Sequence, residues 1–198
     1  MDATEVTVGQ FKKFLKSTDH PFDGELWNEV YKYSPTDKHP MIRASWHDVT
    51  AYAKWVGKRL PTEKEWEFAA RGGLVGKEYS WGDDEAVARD YANFAGTDGK
   101  DKWGRTTAPV GSFKPNGYGL FDMSGNVWEW CTEGERTLAS KFSLFLANQS
   151  GNEGVLRGGS WDGNPVDLRA AIRYGSGPTS TGIYSGFRCV SGFPAAKQ

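Results

Sequence analysis

The sequence predicts an α+β fold with two main helices, short antiparallel strands and much irregular loop. Three observations predict it. Capped apolar patterns of helical period occur only before Gly73, while from Tyr79 onward Gly, Asn, Asp and Pro interrupt the chain every few residues. The apolar runs of that second part shrink to strand length. Aromatic residues make up 14% of the chain, nine of them Trp, beside 25 Gly and a mean hydropathy of -0.61, so burial must come from a few large rings set among many turns. At 198 residues the chain is long enough for one sizeable core, and a single domain over 1–198 is expected.

Ala3 to Val8 alternate as a strand does, and because this pattern begins at once, Met1 reads as an internal residue of a longer protein. Over Gln10 to Lys16, Phe11, Phe14 and Leu15 stand at i, i+3, i+4, which predicts an amphipathic helix ending near Ser17. Residues 18–44, rich in Pro, His and Asp, read as loop. Ser45 offers an N-cap with Asp48 three positions on, and Val49, Tyr52, Ala53 and Val56 line one helical face closed by Gly57. Thr62 with Glu65 repeats the capping box behind Pro61, with Trp66, Phe68, Ala69 and Ala70 as apolar mass and Gly72-Gly73 as the stop. Strands are expected at Ala108 to Phe113, Val127 to Cys131, Val155 to Leu156 and Phe187 to Val190. Such long irregular connections are uncommon unless they bind something or are held by metal.

Charge and length exclude several functions. With 24 basic and 25 acidic residues the net charge is -1, which gives no field to attract nucleic acid or an anionic membrane surface. The longest apolar stretch, Phe142 to Ala147 with Ser143 inside it, is far shorter than the ~20 residues of a membrane helix. Neither nucleic acid nor membrane insertion is expected. Two cysteines, Cys131 and Cys189, fit no metal spacing and make no disulfide framework; they read as small buried hydrophobes, or as a pair if the fold brings them together.

The stretch from Leu156 to Val190 mixes a stiff framework with filler. Arg157, Gly158, Gly159, Ser160, Trp161, Pro165, Arg169, Arg173, Gly186, Phe187, Arg188 and Cys189 are residues for tight turns, apolar anchors and hydrogen-bond forks. Between them, positions 162–164, 174–177 and 179–185 carry only Asp, Gly, Asn, Tyr, Ser, Thr and Ile. That composition is the one binding loops use for adaptable contacts at low entropy cost. The expected contact residues are Asp162, Gly163, Asn164, Tyr174, Ser176, Thr179, Thr181, Ile183 and Tyr184, with the two tyrosines as anchors. Trp128, Trp130 and Trp161 are read as core rather than as a stacking platform.

Several motifs stand in order: RLPTEKEWEFAARGG (Arg59 to Gly73), YSWG (Tyr79 to Gly82), YANF (Tyr91 to Phe94), APVGSFKPNGYGLFDMSGNVWEW (Ala108 to Trp130), VLRGGSW (Val155 to Trp161) and GFRC (Gly186 to Cys189). Over roughly residues 3–192 the chain resembles the formylglycine-generating-enzyme, or sulfatase-modifying-factor, family, which implies a variant C-type-lectin-like fold. In the oxidases of that family two cysteines, at the third and eighth positions beyond the Ser of GGS, bind copper and convert a substrate Cys to formylglycine. Here those positions are Gly163 and Leu168, which supply no thiolate, so no copper and no such oxidation are expected. A sulfoxide-synthase branch needs a three-His iron site, whereas His20, His39 and His47 lack HxxxH spacing.

The resemblance extends to a non-catalytic branch, variable proteins diversified by retroelements between RGGSW and GFRC, where mutagenesis of adenines excludes Lys, Glu, Gln, Met and Trp. The filler obeys that exclusion at every position, though glycine-rich loops avoid those residues anyway. An ordinary family member with a binding groove fits equally. The reading is a catalytically empty module for a protein or cell-surface ligand, with an enzyme acting on a peptide in the same groove as the alternative. The resemblance also implies structural calcium, a hard ion taking oxygen ligands in irregular loops. One site would use Asn93, the Phe94 carbonyl, Asp101 and the Trp103 carbonyl; a second would use Glu129 with the carbonyls of Asp122, Gly125 and Val127. The loop before Asp101 departs from the family pattern in length, leaving Asp98 as a competitor. The alternative is that Glu129 and Asp101 bond backbone amides or an arginine, Arg157, Arg169 and Arg188 being the candidates.

Overall fold

A computed structural model describes residues 1–96, 102–132 and 154–192. Helix α1 (Val8–Ser17) starts at Thr7, whose side chain accepts from the Gln10 amide while the Gln10 side chain answers the Thr7 amide. Two more capping boxes start α3 (Trp46–Trp55), at Ser45 and Asp48, and α4 (Glu63–Arg71), at Thr62 and Glu65. Gly72 ends α4 in the left-handed region at φ 55°, with the backbone of Gly117 2.8 Å from where a Cβ would lie. These three helices lie where local spacing put them.

The expected loop at 18–44 is corrected by a further helix, α2 (Leu26–Tyr33). Its N-cap position, Glu25, makes no side-chain cap bond, and only Val30 is buried, so neither start signal nor apolar stripe announces it. After a 3₁₀ turn at Glu85–Val87 comes the short α5 (Ala88–Tyr91).

Four strands form one sheet in the order β3-β2-β1-β4: β1 (Trp128–Cys131), β2 (Gly154–Arg157), β3 (Arg173–Ser176) and β4 (Ser185–Gly186). Both β1 and β3 pair antiparallel to β2, with Trp130 opposite Leu156 and Leu156 opposite Tyr174. The β1–β4 pair is parallel, Trp128 facing Ser185, which corrects the expectation of antiparallel strands alone. A long loop crosses from one edge of the sheet to the other before β4, and that crossing sets its direction.

Two further strand expectations change. Ala108 to Phe113 form no ladder, since the Ala108 amide donates to the Asn126 side chain and Gly111 turns at φ 74°. The segment after β4 is extended but bonds singly, Phe187 and Cys189 carbonyls accepting from Val6 and Asp2 and Val190 pairing with Arg59. Opening residues thus dock against 187–189 and, through Val6 and Met41, against the start of the 41–45 segment.

Because side chains alternate across a strand, Trp128, Trp130, Leu156 and Tyr174 share one sheet face and Glu129, Cys131, Arg157 and Arg173 the other. The first face covers the main core. There Phe11, Phe14, Tyr52 and Phe187 meet with ring centroids 5.2–6.4 Å apart, beneath the fully buried Trp130. On the second face Trp66, Ala70, Met123, Cys131 and Ala170 form a smaller cluster.

That second face holds a buried charge centre. Arg188, fully buried, donates from Nε and Nη2 to the two Glu129 oxygens at 2.8 Å each, and Trp66 Nε1 donates to Glu129 at 2.8 Å. The remaining guanidinium N–H groups reach the carbonyls of Phe121, Asp2 and Ala3. Glu5 and Asp122 are buried beside it, and burial pushes both carboxyls above their usual range. Cys131 and Cys189 are buried free thiols, so they do not pair; burial drives the first well up and the second to about 12, which keeps both as thiols.

Candidate functional site

A groove of about 390 Å³ opens where the first sheet face runs past the edge of the core. Every strand contributes to its lining: Trp128 from β1, Leu156 from β2, Tyr174 and Ser176 from β3, Ser185 from β4. The rims come from the two loops on either side. One starts with the turn at Gly158 and Gly159, at φ 98° and 80°, where a Cβ on Gly159 would stand 2.8 Å from the Asp167 carbonyl oxygen. It places Ser160, Asp162, Gly163 and Asp167 in the groove. Within it the Asn164 amide donates to Asp167 Oδ2 at 2.9 Å, capping a 3₁₀ turn at Pro165–Leu168.

The other rim supplies Ser180, Gly182 and Tyr184. Main-chain bonds fix it to its surroundings: Trp46 N to Pro178 O at 3.1 Å, Arg43 N to Gly182 O at 3.1 Å and Trp128 N to Tyr184 O at 2.7 Å. Arg43 also donates to the Thr181 carbonyl from its guanidinium. Beneath the rims Trp161 is buried, stacked on Tyr33 at 5.4 Å and touching Tyr184 at 5.1 Å.

Of the residues expected to contact a ligand, Asp162, Gly163, Tyr174, Ser176 and Tyr184 line this groove together. Tyr174 is 61% and Tyr184 38% exposed, as anchors awaiting a partner would be. The others lie elsewhere. Thr179 and Thr181 line a second pocket of about 310 Å³ with Phe22, Asp23, Ser45, His47 and Asp48; Asn164 is an exposed cap, and Ile183 packs on the core. Sequence reasoning missed Trp128, Leu156, Ser160 and Asp167 as lining, and within 179–185 it singled out Thr179, Thr181 and Ile183 where Ser180, Gly182 and Ser185 line the groove. Trp128 was read as core, and it is half-buried because it sits at the strand end where the core gives out, its ring 6.1 Å from that of Tyr174. Trp130 and Trp161 are core as expected.

Asp162 and Asp167 are the charged groups of the lining, which has no thiol, imidazole or basic side chain among the described residues. Burial, together with the nearby Asp162 carboxylate, raises the pKa of the Tyr184 hydroxyl. Arg105 approaches Asp162 at 3.8 Å with a side chain 89% exposed, a contact that water screens. Gly163 is a buried part of the groove wall where a Cβ would stand 3.1 Å from the Ser160 carbonyl oxygen, and Leu168 is buried with Tyr79 and Phe94 in a third apolar cluster. The buried thiols of Cys131 and Cys189 are not among the groove lining.

The implied metal sites differ in how well their residues suit a cation. Asn93 is fully buried, its Nδ2 donating to Thr106 O and to Asn126 Oδ1, while its Oδ1 has no partner among the described residues. That orphaned oxygen fits an oxygen-seeking ion. The Phe94 carbonyl accepts from Arg89 and the Trp103 carbonyl from Thr106; Asp101 and Asp98 lie outside the described residues. At Glu129 the donors belong to the protein. Both of its oxygens are held by Arg188 and Trp66, so it follows the arginine alternative rather than closing a sphere with Asp122, Gly125 and Val127. The other candidate partners go elsewhere, Arg157 to Glu67 and Arg169 to Glu78.

Comparison with known proteins supplies the family. The model of the sulfatase-modifying factor enzyme 1-like domain matches residues 1–192. The formylglycine-generating enzyme of Streptomyces coelicolor is 41% identical over 165 residues, 77% of this chain and 52% of that protein. The inactive C-alpha-formylglycine-generating enzyme 2 of Bos taurus is 43% identical over 162 residues, 77% of this chain and 50% of that protein. The chain therefore spans about half the length of these curated relatives. Among solved structures, Treponema denticola variable protein 1 superposes with a TM-score of 0.69 at 24% identity, covering 92% of this chain and 80% of that one, a likeness of fold.

Proposed function

Since the chain belongs to the formylglycine-generating-enzyme (sulfatase-modifying-factor) family and has its C-type-lectin-like fold, we propose that it is a non-catalytic module that grips a protein or cell-surface ligand in the groove between residues 162 and 185. One observation carries the reading: exposed Tyr174 and Tyr184 line a cavity with no thiol in its lining, Gly163 in its wall and the buried Leu168 behind it standing where the resemblance puts the copper-binding cysteines. A relative named as inactive supports it. Retroelement diversification of the rim would make that ligand differ between copies of the gene. A reverse-transcriptase gene beside this one, with a near-identical repeat differing only at adenines, is the expected finding; their absence leaves an ordinary binding domain.

The experiment compares capture of surface proteins by the wild-type chain and by Tyr174→Ala/Tyr184→Ala. Loss of two exposed aromatic anchors is expected to weaken binding by about 2–4 kcal/mol with the melting temperature unchanged. A partner retained equally by both proteins would remove the groove from the interaction. The second reading, a peptide-modifying enzyme, is favoured by the identity to the Streptomyces enzyme. Incubation with copper and a CxPxR peptide decides it, since any aldehyde detected by mass spectrometry would overturn the binding reading.

Calcium belongs to the same proposal, at the Asn93 loop, where the unpartnered Oδ1 and the neighbouring carbonyls would bind it and tie the loop down. Calcium at 100-fold over its Kd stabilises by about 2.7 kcal/mol, so chelation is expected to lower the melting temperature by roughly 5–10 °C. An unchanged melt with chelator removes the ion from the account.

A further inference from the structure

From the groove's lining we infer the chemical class of its ligand: a protein segment that inserts a cationic side chain, lysine or arginine, between the aromatic faces and the two aspartates. The inference rests on the binding reading above. Its first support is charge. Asp162 and Asp167 face the groove, and no basic lining residue answers them among the described residues. Asp167 spends one oxygen on the Asn164 amide, and Asp162 has only the loose 3.8 Å approach of the solvent-exposed Arg105. Each carboxylate thus keeps hydrogen-bonding capacity directed at whatever enters, and a charge-assisted bond is the strongest use of it.

The second support is independent of charge. Trp128 and Tyr174, with ring centroids 6.1 Å apart, line the groove together with Tyr184, so an inserted group meets three aromatic rings. Aromatic faces attract ammonium and guanidinium groups by the ring quadrupole, and their apolar bodies cover the methylene stem. An anion would meet carboxylates and negative ring faces, and a plain hydrocarbon would leave Asp162 desolvated and unpaired. The volume of about 390 Å³ admits a long side chain with some adjoining backbone. Serine hydroxyls of Ser160, Ser176 and Ser180 can take up that backbone.

The test uses the full chain and four immobilised Gly-Ser peptides that differ only in a central Lys, Arg, Glu or Gln, displayed densely enough for weak binding to register. Binding to the Lys and Arg peptides, at least tenfold above Gln and with none to Glu, is expected. Asp162→Asn should weaken that binding about tenfold, and raising salt from 50 to 500 mM should weaken it several-fold, because the pairing is partly exposed. Equal binding of Gln and Lys peptides, lost in Tyr174→Ala, would overturn the cationic class while leaving the groove as the binding site. Binding of Lys and Arg peptides unaffected by Tyr174→Ala and Asp162→Asn would place the contact elsewhere and overturn both readings. No binding of any peptide, when the wild-type chain still captures a surface partner through Tyr174, overturns the cationic class alone.

Discussion

Arg188→Met is expected to lower the melting temperature by roughly 6–20 °C. The guanidinium is the buried cation that answers Glu129 and stands beside the buried carboxyls of Glu5 and Asp122. Its removal strands Glu129 against Trp66 alone and exposes the carbonyls of Phe121, Asp2 and Ala3 to an apolar neighbour. Breaking one side of a buried ion pair costs about 3–5 kcal/mol, against a total stability of about 5–15 kcal/mol. The measurement is circular dichroism on thermal melting of the purified variant. Removing both partners together, Arg188→Met with Glu129→Leu, should recover part of the lost melting temperature, because the stranded Glu129 charge is gone. A single variant that melts like wild type would show that Arg188 is not the counter-charge of this centre.

Trp130→Ala is expected to cost a comparable amount by a different route. The ring is fully buried on the main-core face of β1, its Nε1 donates to the Ala44 carbonyl at 3.1 Å, and Gly154 on β2 fits against it only because a Cβ there would lie 2.4 Å from the ring. Truncation opens a cavity and orphans a carbonyl, together about 3–5 kcal/mol. Trp130→Phe should lose much less, since most of the volume stays. Urea midpoints with unchanged slope would measure both. Equal losses for Phe and Ala would place the cost in the indole hydrogen bond rather than in packing.

These two variants rest on contacts that differ in how the sequence announced them. Helices α3 and α4 could be read directly, since Ser45 and Thr62 each bond a residue three positions on, and α1 from the spacing of Phe11, Phe14 and Leu15, its Thr7 cap two residues ahead of the expected start coming only with the structure. Helix α2 has no such cap and owes its place to Val30 and the rings around Trp27, which are tertiary facts. The parallel β4 was hidden for the same reason, its partner lying 57 positions away at Trp128 to Ser185. For the site, composition located the rims, because small polar residues with two tyrosines are chosen one by one. It did not locate the floor. Trp128 and Leu156 belong to strands whose pattern says only that they are apolar, and whether such a residue faces core or groove depends on where the sheet outruns the packing beneath it. Glu129 had two readings from its motif, and Arg188, far along the chain, decided between them.

The rims are tied largely through amides and carbonyls at Pro178, Gly182, Tyr184 and Ser160, with the Asp167 side chain on the Asn164 amide and the Tyr184 ring on Trp161 as side-chain ties. Main-chain ties are blind to residue identity, proline as an amide donor excepted. At a rim position held by such ties alone, such as Ser180, a change of side chain leaves the anchoring bonds in place, so the surface there is free to vary at little cost to the fold.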